Sequence, residues 1–598
     1  MYLSRIKIEN FRNFGDFDVA LGGNVVVAGE NRIGKSNLLY ALRLIFDPGL
    51  PDSARQLSLA DFWDGLEELT AEDKIVVSVE IKDFENDADV LALLTDFRLD
   101  EDPHTVRLTY ELRPVGDLEF APATAEDYEF LCYGGENEAK RFGHNLRRRI
   151  TMDVLPALRD AEGDLSAWKR SPLRPLIEDS FKNVDRDKLE EIGQVIEAAT
   201  AKITEFEQVR ALEESIATLF VEMSGPKQDI QPTLGFSPTD PTRLYRSVRL
   251  LIDEGARSIG DASLGSANLV FLTLKALEIR RLIAENRRDH TFLAIEEPEA
   301  HLHPHLQRSV YRHVFAAAQE IEGQNPLSVL VTTHSPHIAS VAPLRSILLL
   351  KEVGGEGTRG FSTAAINLSD VEADDIARYL DVTRAEMLFA RGVILVEGDA
   401  ERFLVPAFAE TLGISLDQLG ITVCSVAGTN FRPYVKFLGG LNIPHAVITD
   451  WDPRNGKKPL GYSRSLNLVK EIQRQRMGEE PDELVDELAA LKDYNTFAER
   501  CEAYGVFTNA QTLEIDLFED GFADAIIAVL REHKLSAERK TLVDGWETDK
   551  GSLDKGSLLA MIDAVGKGRF AQRLVAHIDG IDPPAYIAGA IRLVADRV

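Results

Sequence analysis

A glycine-containing segment near the start of the chain has residue types that bind phosphate. Residues 29–36 read GENRIGKS, which fits the pattern GxxxxGK[ST]. Glycines let backbone N–H groups curl around phosphates, a lysine supplies positive charge to the β/γ-phosphates, and a hydroxyl can ligate Mg²⁺. A chance glycine turn is the alternative, but the pattern lies between a predicted strand and a predicted helix, as the chemistry requires. The sequence therefore predicts an ATP and Mg²⁺ site that uses Gly29, Asn31, Gly34, Lys35, Ser36 and Asn37.

Three later segments have the residues to complete such a site. A buried-type strand ends in the acids Glu296 and Glu297, of which the first can hold Mg²⁺ through water and the second can orient or deprotonate the attacking water. A further strand ends in His334, which can contact the γ-phosphate. Ser263 and Gly265 precede a long predicted helix and offer donors and a helix N-terminus to an anion.

A second group of acids follows two other strands. Glu397 ends one strand, with Glu401 four residues later in a helix, and Asp450 and Asp452 end another strand. These carboxylates would repel one another at neutral pH unless a divalent cation neutralised them, and oxygen ligands suit Mg²⁺ or Mn²⁺. Two such cations can activate water on a phosphodiester and stabilise the leaving oxygen. Each motif alone is common, so the prediction rests on the two occurring together.

Three histidines at alternate positions, His301, His303 and His305, suggest a metal site. Histidines spaced in this way on a loop seldom converge on one ion. We therefore favour a packing or partner-contact role for this loop.

The elements that must position these residues form two alternating α/β series. Buried-type strands are predicted at Asn24–Ala28, Thr291–Ile295 and Ser328–Thr332, with helices at Ser36–Phe46 and Leu269–Ile283. Antiparallel strands are predicted at Tyr2–Phe11, Ile75–Ile81, Val106–Leu112 and Tyr128–Tyr133. Charged helices over Asp185–Met223 suggest an insertion or a dimer face, and strands at Val393–Val396, Ile421–Val426 and Ala446–Thr449 suggest a second βαβ domain.

Composition and charge narrow the class of protein. The 598 residues are 44% hydrophobic and 28% charged, as in multidomain globular proteins, and the net charge of −31 argues against a protein that coats nucleic acid. Residues 391–598 carry a net charge of −8, so most of the acid lies in residues 1–390. Three scattered cysteines, no apolar signal core and no bilayer-length apolar run predict a cytoplasmic protein without a membrane partner.

The motifs together resemble known families. The phosphate loop, the acid pair, His334, the Ser263 element and the opening strand Ile8–Phe14 resemble the ATP-binding-cassette heads of the SMC/RecF class. The Glu397 and Asp450 motifs resemble the Toprim domain of topoisomerases, primases and nucleases. Their combination resembles the OLD (overcoming lysogenisation defect) family of ATPase-nucleases over nearly the whole chain, and its middle, with residues 153–161 and 168–175, resembles the stand-alone class 1 members.

The resemblance implies further site residues. Glu514 matches a downstream acidic motif as a metal ligand, with Asp516 a weaker match, and Lys567 matches a lysine that assists cleavage. From chemistry alone Lys567 can stabilise charge on the reacting phosphate, or it can be a solvated surface lysine. The chain departs from the ATPase pattern in having Glu296 in place of the usual Asp and in lacking a full LSGGQ signature. These departures predict slow hydrolysis, and the Q-loop glutamine has no clear position.

The resulting expectation is an α/β protein with an SMC/RecF-like ATPase, a helical dimerisation insertion and a Toprim domain with a C-terminal helical extension. The predicted segments are residues 1–150 and 251–385 for the ATPase, 151–250 for the insertion, and 386–598 for the Toprim domain. The resemblance implies a homodimer whose heads meet through ATP, DNA as the substrate, and a role in phage defence or DNA processing, in which other defence or repair proteins are possible partners.

Two basic groups are candidate DNA contacts. The first group is dense, but its residues could equally form salt bridges between domains: Lys140, Arg141, Arg147, Arg148, Arg149, Lys169, Arg170 and Arg174. The second group follows the Asp450 motif directly and consists of Arg454, Lys457 and Lys458. Two other functions stay open at this point. One is an ATP-switched DNA clamp without nuclease activity, and the other is Toprim chemistry on RNA or in strand passage.

Overall fold

The fold is described from a computed structural model of the chain. It describes residues 1–116, 122–157, 161–169, 171–182, 184–224, 232–234, 245–246, 248–255, 257–300, 302–318, 327–477 and 481–598. His301 and Arg170, both considered above, lie outside these residues.

The strands are β1 Tyr2–Phe11, β2 Phe14–Ala20, β3 Val25–Gly29, β4 Ile75–Lys82, β5 Val106–Pro114, β6 Tyr128–Gly134, β7 Ile150–Leu155, β8 Leu251–Ile252, β9 Arg257–Ser258, β10 His290–Glu296, β11 Leu327–Thr332, β12 Ile347–Val353, β13 Gly357–Ser362, β14 Gly392–Val396, β15 Ile421–Ser425, β16 His445–Thr449 and β17 Val506–Thr508.

The helices of the first half are α1 Lys35–Phe46, α2 Asp52–Arg55, α3 Ala88–Leu94, α4 His144–Arg149, α5 Ala161–Ser166, α6 Leu173–Lys182, α7 Arg186–Ala201, α8 Glu207–Ser224, α9 Leu264–Ala284 and α10 Pro304–Ala317. Those that follow are α11 Pro336–Ala339, α12 Asp370–Tyr379, α13 Val382–Ala385, α14 Asp399–Thr411, α15 Leu416–Leu419, α16 Arg432–Gly440, α17 Leu460–Met477, α18 Asp482–Ala490, α19 Tyr494–Glu502, α20 Leu513–Leu517, α21 Ala523–Arg531, α22 Ala537–Thr548, α23 Lys555–Val565, α24 Lys567–Leu574 and α25 Ala585–Ala595.

The ATPase part is built on one large mixed sheet with the order β6-β5-β4-β1-β2-β13-β12-β3-β11-β10-β7. Strands β12, β3, β11, β10 and β7 run parallel, whereas β6 to β2 are antiparallel to their neighbours. Because β3, β11 and β10 are adjacent and parallel, the residues that follow them meet at one edge of the sheet. That edge receives the phosphate loop, His334 and the acid pair.

The Toprim part is a four-stranded parallel sheet with the order β15-β14-β16-β17. The described residues of β14 are all buried, as expected for a strand covered on both faces. Helices α20 to α25 pack with α14 in a second apolar layer, in which Phe408 of α14, Phe522 just before α21 and Trp546 of α22 are fully buried. The carboxyl ends of β14 and β16 lie side by side, so Glu397 and Asp450 are brought to the same edge.

The chain divides into two compact units. One contains residues Met1–Ala157 and Asp289–Val598, and the other contains Leu158–Arg288. The described residues of the second unit form helices and the two-stranded ribbon β8-β9, and a small core around Leu165, Ile259, Ala267 and Leu274 holds α5 and α9 together.

These units do not follow the predicted segment boundaries. Strand β7 pairs with β10 within the ATPase sheet, so residues 150–155 belong to that sheet rather than to the insertion. The helix α9, which follows Ser263, falls in the second unit. The division into four segments remains a prediction of which residues share a function, and it does not describe the two compact units.

The predicted strands and helices of the two series are present, with ends that differ by a few residues. The sequence did not predict strands β2, β7, β8, β9, β12, β13 and β17. Within the described part of the chain, no helix is both long and apolar enough to cross a membrane.

Candidate functional site

The phosphate loop connects the end of β3 to the start of α1. Gly34 has φ +99°, and a Cβ at this position would lie 2.0 Å from Nδ2 of Asn13. A Cβ on Gly29 would lie 2.8 Å from the carbonyl oxygen of Leu350. A side chain at either position would collide with these neighbouring atoms, so both positions require glycine. The Gly34 backbone conformation also disfavours other residues.

Lys35 is buried inside this loop. Its Nζ donates to the carbonyl oxygens of Gly29 and Glu30, at 3.1 and 3.0 Å, and to Nε2 of His334 at 2.6 Å. Burial lowers the pKa of Lys35, while the charges of Glu297 and Glu299 oppose that shift. The lysine is thus held at the mouth of the loop by contacts that a phosphate can replace.

The acid pair and the histidine meet beside Lys35. Glu297 has φ +40°, its N–H donates to the carbonyl of Thr332 at 2.9 Å, and its Oε1 lies 3.4 Å from Nε2 of His334. Burial, and then the charge of Lys35, lower the pKa of His334. At neutral pH the histidine is therefore uncharged and able to accept a hydrogen bond.

Glu299 holds this arrangement together, and the sequence analysis did not identify it. Its two carboxylate oxygens accept hydrogen bonds from the His334 N–H at 2.6 Å and from the Thr333 hydroxyl at 2.9 Å. The residue follows the acid pair after one proline, Pro298, but no spacing rule marks a carboxylate that reaches a loop 34 positions later.

The other predicted ATP-site residues are placed differently. Ser36 and Asn31 are exposed at the loop, and Glu296 ends β10 half-buried. The Asn37 side chain donates to Oδ1 of Asn13 at 2.7 Å and accepts from Arg12 at 2.8 Å, so it already braces the loop. Ser263 caps α9 by accepting from the Ser266 N–H at 3.2 Å, and it lies with Gly265 in the second compact unit.

The described residues of the histidine loop make packing contacts at the start of α10. Nδ1 of His303 accepts from the His305 N–H at 3.3 Å, which caps α10, and Nδ1 of His305 lies 2.8 Å from Arg308. Among the described residues, no three His, Cys, Asp or Glu side chains are arranged as a ready metal-binding group. The capping contacts support the packing interpretation of this loop.

At the Toprim edge, Glu397 receives three hydrogen bonds on one oxygen. Oε1 accepts from the Thr449 hydroxyl at 2.5 Å, from the Asp450 N–H at 3.0 Å and from Nη1 of Arg464 at 2.6 Å. Two of these donors come from the end of β16, so the contacts clamp the ends of β14 and β16 together.

Arg464, on α17, also belongs to this site, although the sequence did not predict it. Its guanidinium bonds Glu397, the carbonyl oxygen of Asp450 at 3.1 Å and Oδ2 of Asp452 at 3.1 Å. The side chain is 13% exposed. It joins two of the predicted metal-binding acids without belonging to any recognisable motif.

Two other acids are buried beside this clamp. Burial, reinforced by the charge of Glu397, raises the pKa of Asp450 to about 8 and that of Glu401 to about 7. Oδ1 of Asp450 accepts a hydrogen bond from Asn509, whose own oxygen accepts from the Trp451 N–H at 2.8 Å. Asn509, which follows β17, therefore fixes the position of Asp450.

Glu514 and Lys567 form the far side of the cluster. Glu514 is 3% exposed, its Oε1 lies 3.0 Å from Nζ of Lys567, and its Oε2 is buried without a hydrogen-bond partner. Burial by itself would lower the pKa of Lys567, but the carboxylates of Glu514 and Asp450 raise it. The structure thus brings Lys567 to the acids.

Asp516 has a different environment. Its Oδ2 accepts from the N–H groups of Ala510 and Gln511, at 2.7 and 3.0 Å, and so holds the loop between β17 and α20. Its proposed ligand role remains a prediction, with one oxygen already engaged.

The acids fit a hard divalent cation by their chemistry. The donors are all carboxylate oxygens, one oxygen of Glu514 has no partner, and two carboxyl groups have raised pKa values that a nearby cation would lower. The group contains no preformed cage. Arg464 and Lys567 supply the positive charge instead.

The candidate DNA contacts are mixed. Arg147 is buried, donating to the carbonyl of Ile45 at 3.0 Å, while Arg149 pairs with Asp289 at 2.5 Å and Arg174 with Glu178 at 2.9 Å. Arg454, Lys457 and Lys458 are exposed beside Asp452. The exposed group is therefore the better placed to meet a phosphate backbone.

Comparisons with known proteins match both halves of the chain. Residues 25–340 match the family described as "AAA domain, putative AbiEii toxin, Type IV TA system", and residues 388–452 match "Overcoming lysogenization defect protein-like, TOPRIM domain". The chain is 25% identical to the OLD nuclease of Thermus scotoductus, over 75% of this chain and 82% of that protein. It is 22% identical to endonuclease GajA of Bacillus cereus, over 78% and 79% respectively.

A solved structure matches the Toprim part. The C-terminal region of the Burkholderia pseudomallei OLD protein is 44% identical, covering 35% of this chain and 98% of that one, with a TM-score of 0.30. Residues 25–340 are more than half of the chain, so the chain belongs to this AAA-domain family, and residues 388–452 join to it a domain that matches the OLD-like Toprim model.

Proposed function

We propose that the protein is an ATP-hydrolysing, divalent-metal-dependent endonuclease that cuts DNA. The family assignment makes the chain an ATPase joined to a nuclease domain. The observation that carries the finer proposal is the buried acid cluster at the Toprim sheet edge, where one Glu514 oxygen has no partner and Lys567 lies 3.0 Å from the other.

In this proposal Glu397, Glu401, Asp450, Asp452 and Glu514 hold two Mg²⁺ or Mn²⁺ ions. When bound, such ions activate water and stabilise the leaving oxygen of a phosphodiester. Arg464 and Asn509 keep Glu397 and Asp450 in place. Lys567 lies where its ammonium group can neutralise charge that builds on the reacting phosphate.

At the ATPase edge, Lys35 exchanges its bonds to loop carbonyls for the phosphates of ATP, and Ser36 would hold the accompanying Mg²⁺. Glu297 lies within 3.4 Å of His334, so the two can orient an attacking water between them. The cellular setting that we propose is phage defence or DNA processing.

The homodimer that we propose is supported by one face of α8. Leu212, Ile216, Leu219 and Met223 recur at helical spacing and are 54%, 39%, 56% and 82% exposed. Such a stripe is costly in water and is buried when a second helix of the same kind packs on it.

A charge placed in this stripe should separate the dimer. Leu212→Glu puts a carboxylate among apolar side chains, so light scattering of the purified chain should give a monomer mass. Ala211→Glu adds the same charge beside the stripe and should remain dimeric. A dimeric Leu212→Glu protein would exclude this face as the interface.

Removing one carboxylate should stop cleavage without stopping ATP hydrolysis. Asp450→Asn keeps the hydrogen-bonding shape but removes a metal-binding charge, so nicking of supercoiled plasmid in Mg²⁺ or Mn²⁺ should fall by at least about 100-fold. Phosphate release from ATP should stay within about twofold of wild type.

The matched control is Asp417→Asn, which neutralises an exposed acid of α15 and should nick normally. Retained nicking by Asp450→Asn would contradict the Toprim assignment. If the wild-type chain fails to nick DNA with every divalent metal tested, a clamp without nuclease activity is favoured. Cleavage of RNA but not of DNA would contradict DNA as the substrate.

The reverse pattern is expected at the phosphate loop. Lys35→Ala removes the buried ammonium group, so ATP hydrolysis should fall by about 100-fold or more, whereas metal-dependent nicking measured without ATP should persist. Lys534→Ala, an exposed lysine, is the control. ATP hydrolysis that survived Lys35→Ala would remove the phosphate-loop assignment.

A further inference from the structure

A cavity of about 540 Å³ lies at the edge of the Toprim sheet opposite the acids. It opens where β16 begins, and two arginines, a histidine, a glutamine and an asparagine supply its polar side chains. Its lining residues are Gly439, Asn442, Ile443, Pro444, His445, Ile472, Gln475, Arg476 and Arg597.

Two of the lining cations converge without a counter-charge. Within the described residues, the side chains of Arg476 at the end of α17 and Arg597 after α25 are exposed and make no hydrogen bond and no ion pair. Burial, and then the charge of Arg476, lower the pKa of Arg597. No described carboxylate is among the groups whose charge acts on Arg597 or on His445. Water screens part of the repulsion between these two exposed arginines, and an anion between them would remove the rest.

His445 presents an unused polar atom to the same cavity. Its Nδ1 lies 2.8 Å from the carbonyl oxygen of Ile443, which assigns the proton to Nδ1 and leaves Nε2 as an acceptor. Nε2 is buried and has no hydrogen-bond partner, and the same is true of Oε1 of Gln475. Buried polar atoms are nearly always bonded in folded proteins, so two orphans in one cavity point to a missing ligand.

We propose that this cavity binds a phosphate monoester. Two guanidinium groups match the two negative charges of the dianion and can bond its oxygens in pairs. The monoanion, present beside the dianion because the second pKa of a phosphate monoester is about 6, has one P–OH group, which can donate to Nε2 of His445, whereas the phosphodiesters inside a DNA strand have none. The amide of Gln475 can rotate to donate its N–H groups to a phosphate oxygen.

Two sources share this chemistry. One is the terminal phosphate of a cut nucleic-acid strand, which rests on the proposed nuclease function, and the other is a free nucleotide or inorganic phosphate, which does not. The test uses the full-length chain carrying Lys35→Ala, so that the phosphate loop does not bind the probe, in EDTA so that no cleavage occurs.

Binding of a short single strand labelled at its 3′ end is measured by fluorescence anisotropy, with a 5′-phosphate or a 5′-hydroxyl. For the strand-end source, the 5′-phosphate should bind at least fivefold more tightly, and inorganic phosphate should abolish the difference. For the free source, calorimetry should detect inorganic phosphate or deoxynucleoside monophosphate with no preference between the strands.

In either case Arg476→Gln combined with Arg597→Gln should erase the effect, and Arg592→Gln, an exposed arginine of α25 outside the cavity, should keep it. Phosphate should also protect Arg476 of the Lys35→Ala chain from phenylglyoxal, as read by mass spectrometry, which needs no change to the cavity. Absence of phosphate binding and of protection, or binding that survives in the double variant, would overturn the proposal.

Discussion

Mutual repulsion among carboxylates at the end of the Toprim sheet is the constraint on which this part of the structure depends. Glu397, Glu401, Asp450 and Glu514 are brought together by adjacent strand ends and by α20, and the charges of Glu397, Glu401 and Glu514 all raise the pKa of Asp450. The fold tolerates this because Arg464 bonds Glu397 and Asp452, and Lys567 bonds Glu514. Protein cations therefore hold the acids in place, and divalent cations would complete their neutralisation.

At the ATPase edge a buried charge is likewise supported by groups of opposite charge, but there the buried charge is positive. The buried group is a lysine, and Glu297 and Glu299 support it from the segment that follows β10. A direct ion pair also joins the two domains, since Arg391 bonds Glu30 of the phosphate loop at 2.6 Å. Arg391 immediately precedes β14, the strand that ends before Glu397, so one short strand connects the phosphate loop with the acid cluster.

Much of this arrangement was predictable because parallel strands place their final residues at one edge. The phosphate loop, the acid pair, His334 and the two Toprim acid motifs each follow a strand whose apolar run is legible in the sequence. Residues that act through distant contacts gave no such signal. Arg464 lies in the interior of a helix and Asn509 follows a three-residue strand, so neither periodicity nor spacing distinguishes them.

The compact units were also harder to predict than the motifs. Helix α9 follows a signature-like segment, which suggested the ATPase, but its packing partners in the structure are α5 and α6. Strand β7 has little hydrophobic alternation of its own, and its place in the sheet is set by pairing with β10. Such pairings depend on long-range register, which a single sequence does not specify.

Binding of divalent cations by the Toprim acids is the central prediction for this protein. Mn²⁺ uptake by the full-length chain without nucleotide, followed through the paramagnetic resonance of the free ion, tests it. We expect two ions per chain for the wild type and for Glu538→Gln, which neutralises an exposed acid. For Glu514→Gln we expect the loss of one ion or at least about tenfold weaker binding. Uptake by the wild type no greater than that of Glu514→Gln would contradict the account.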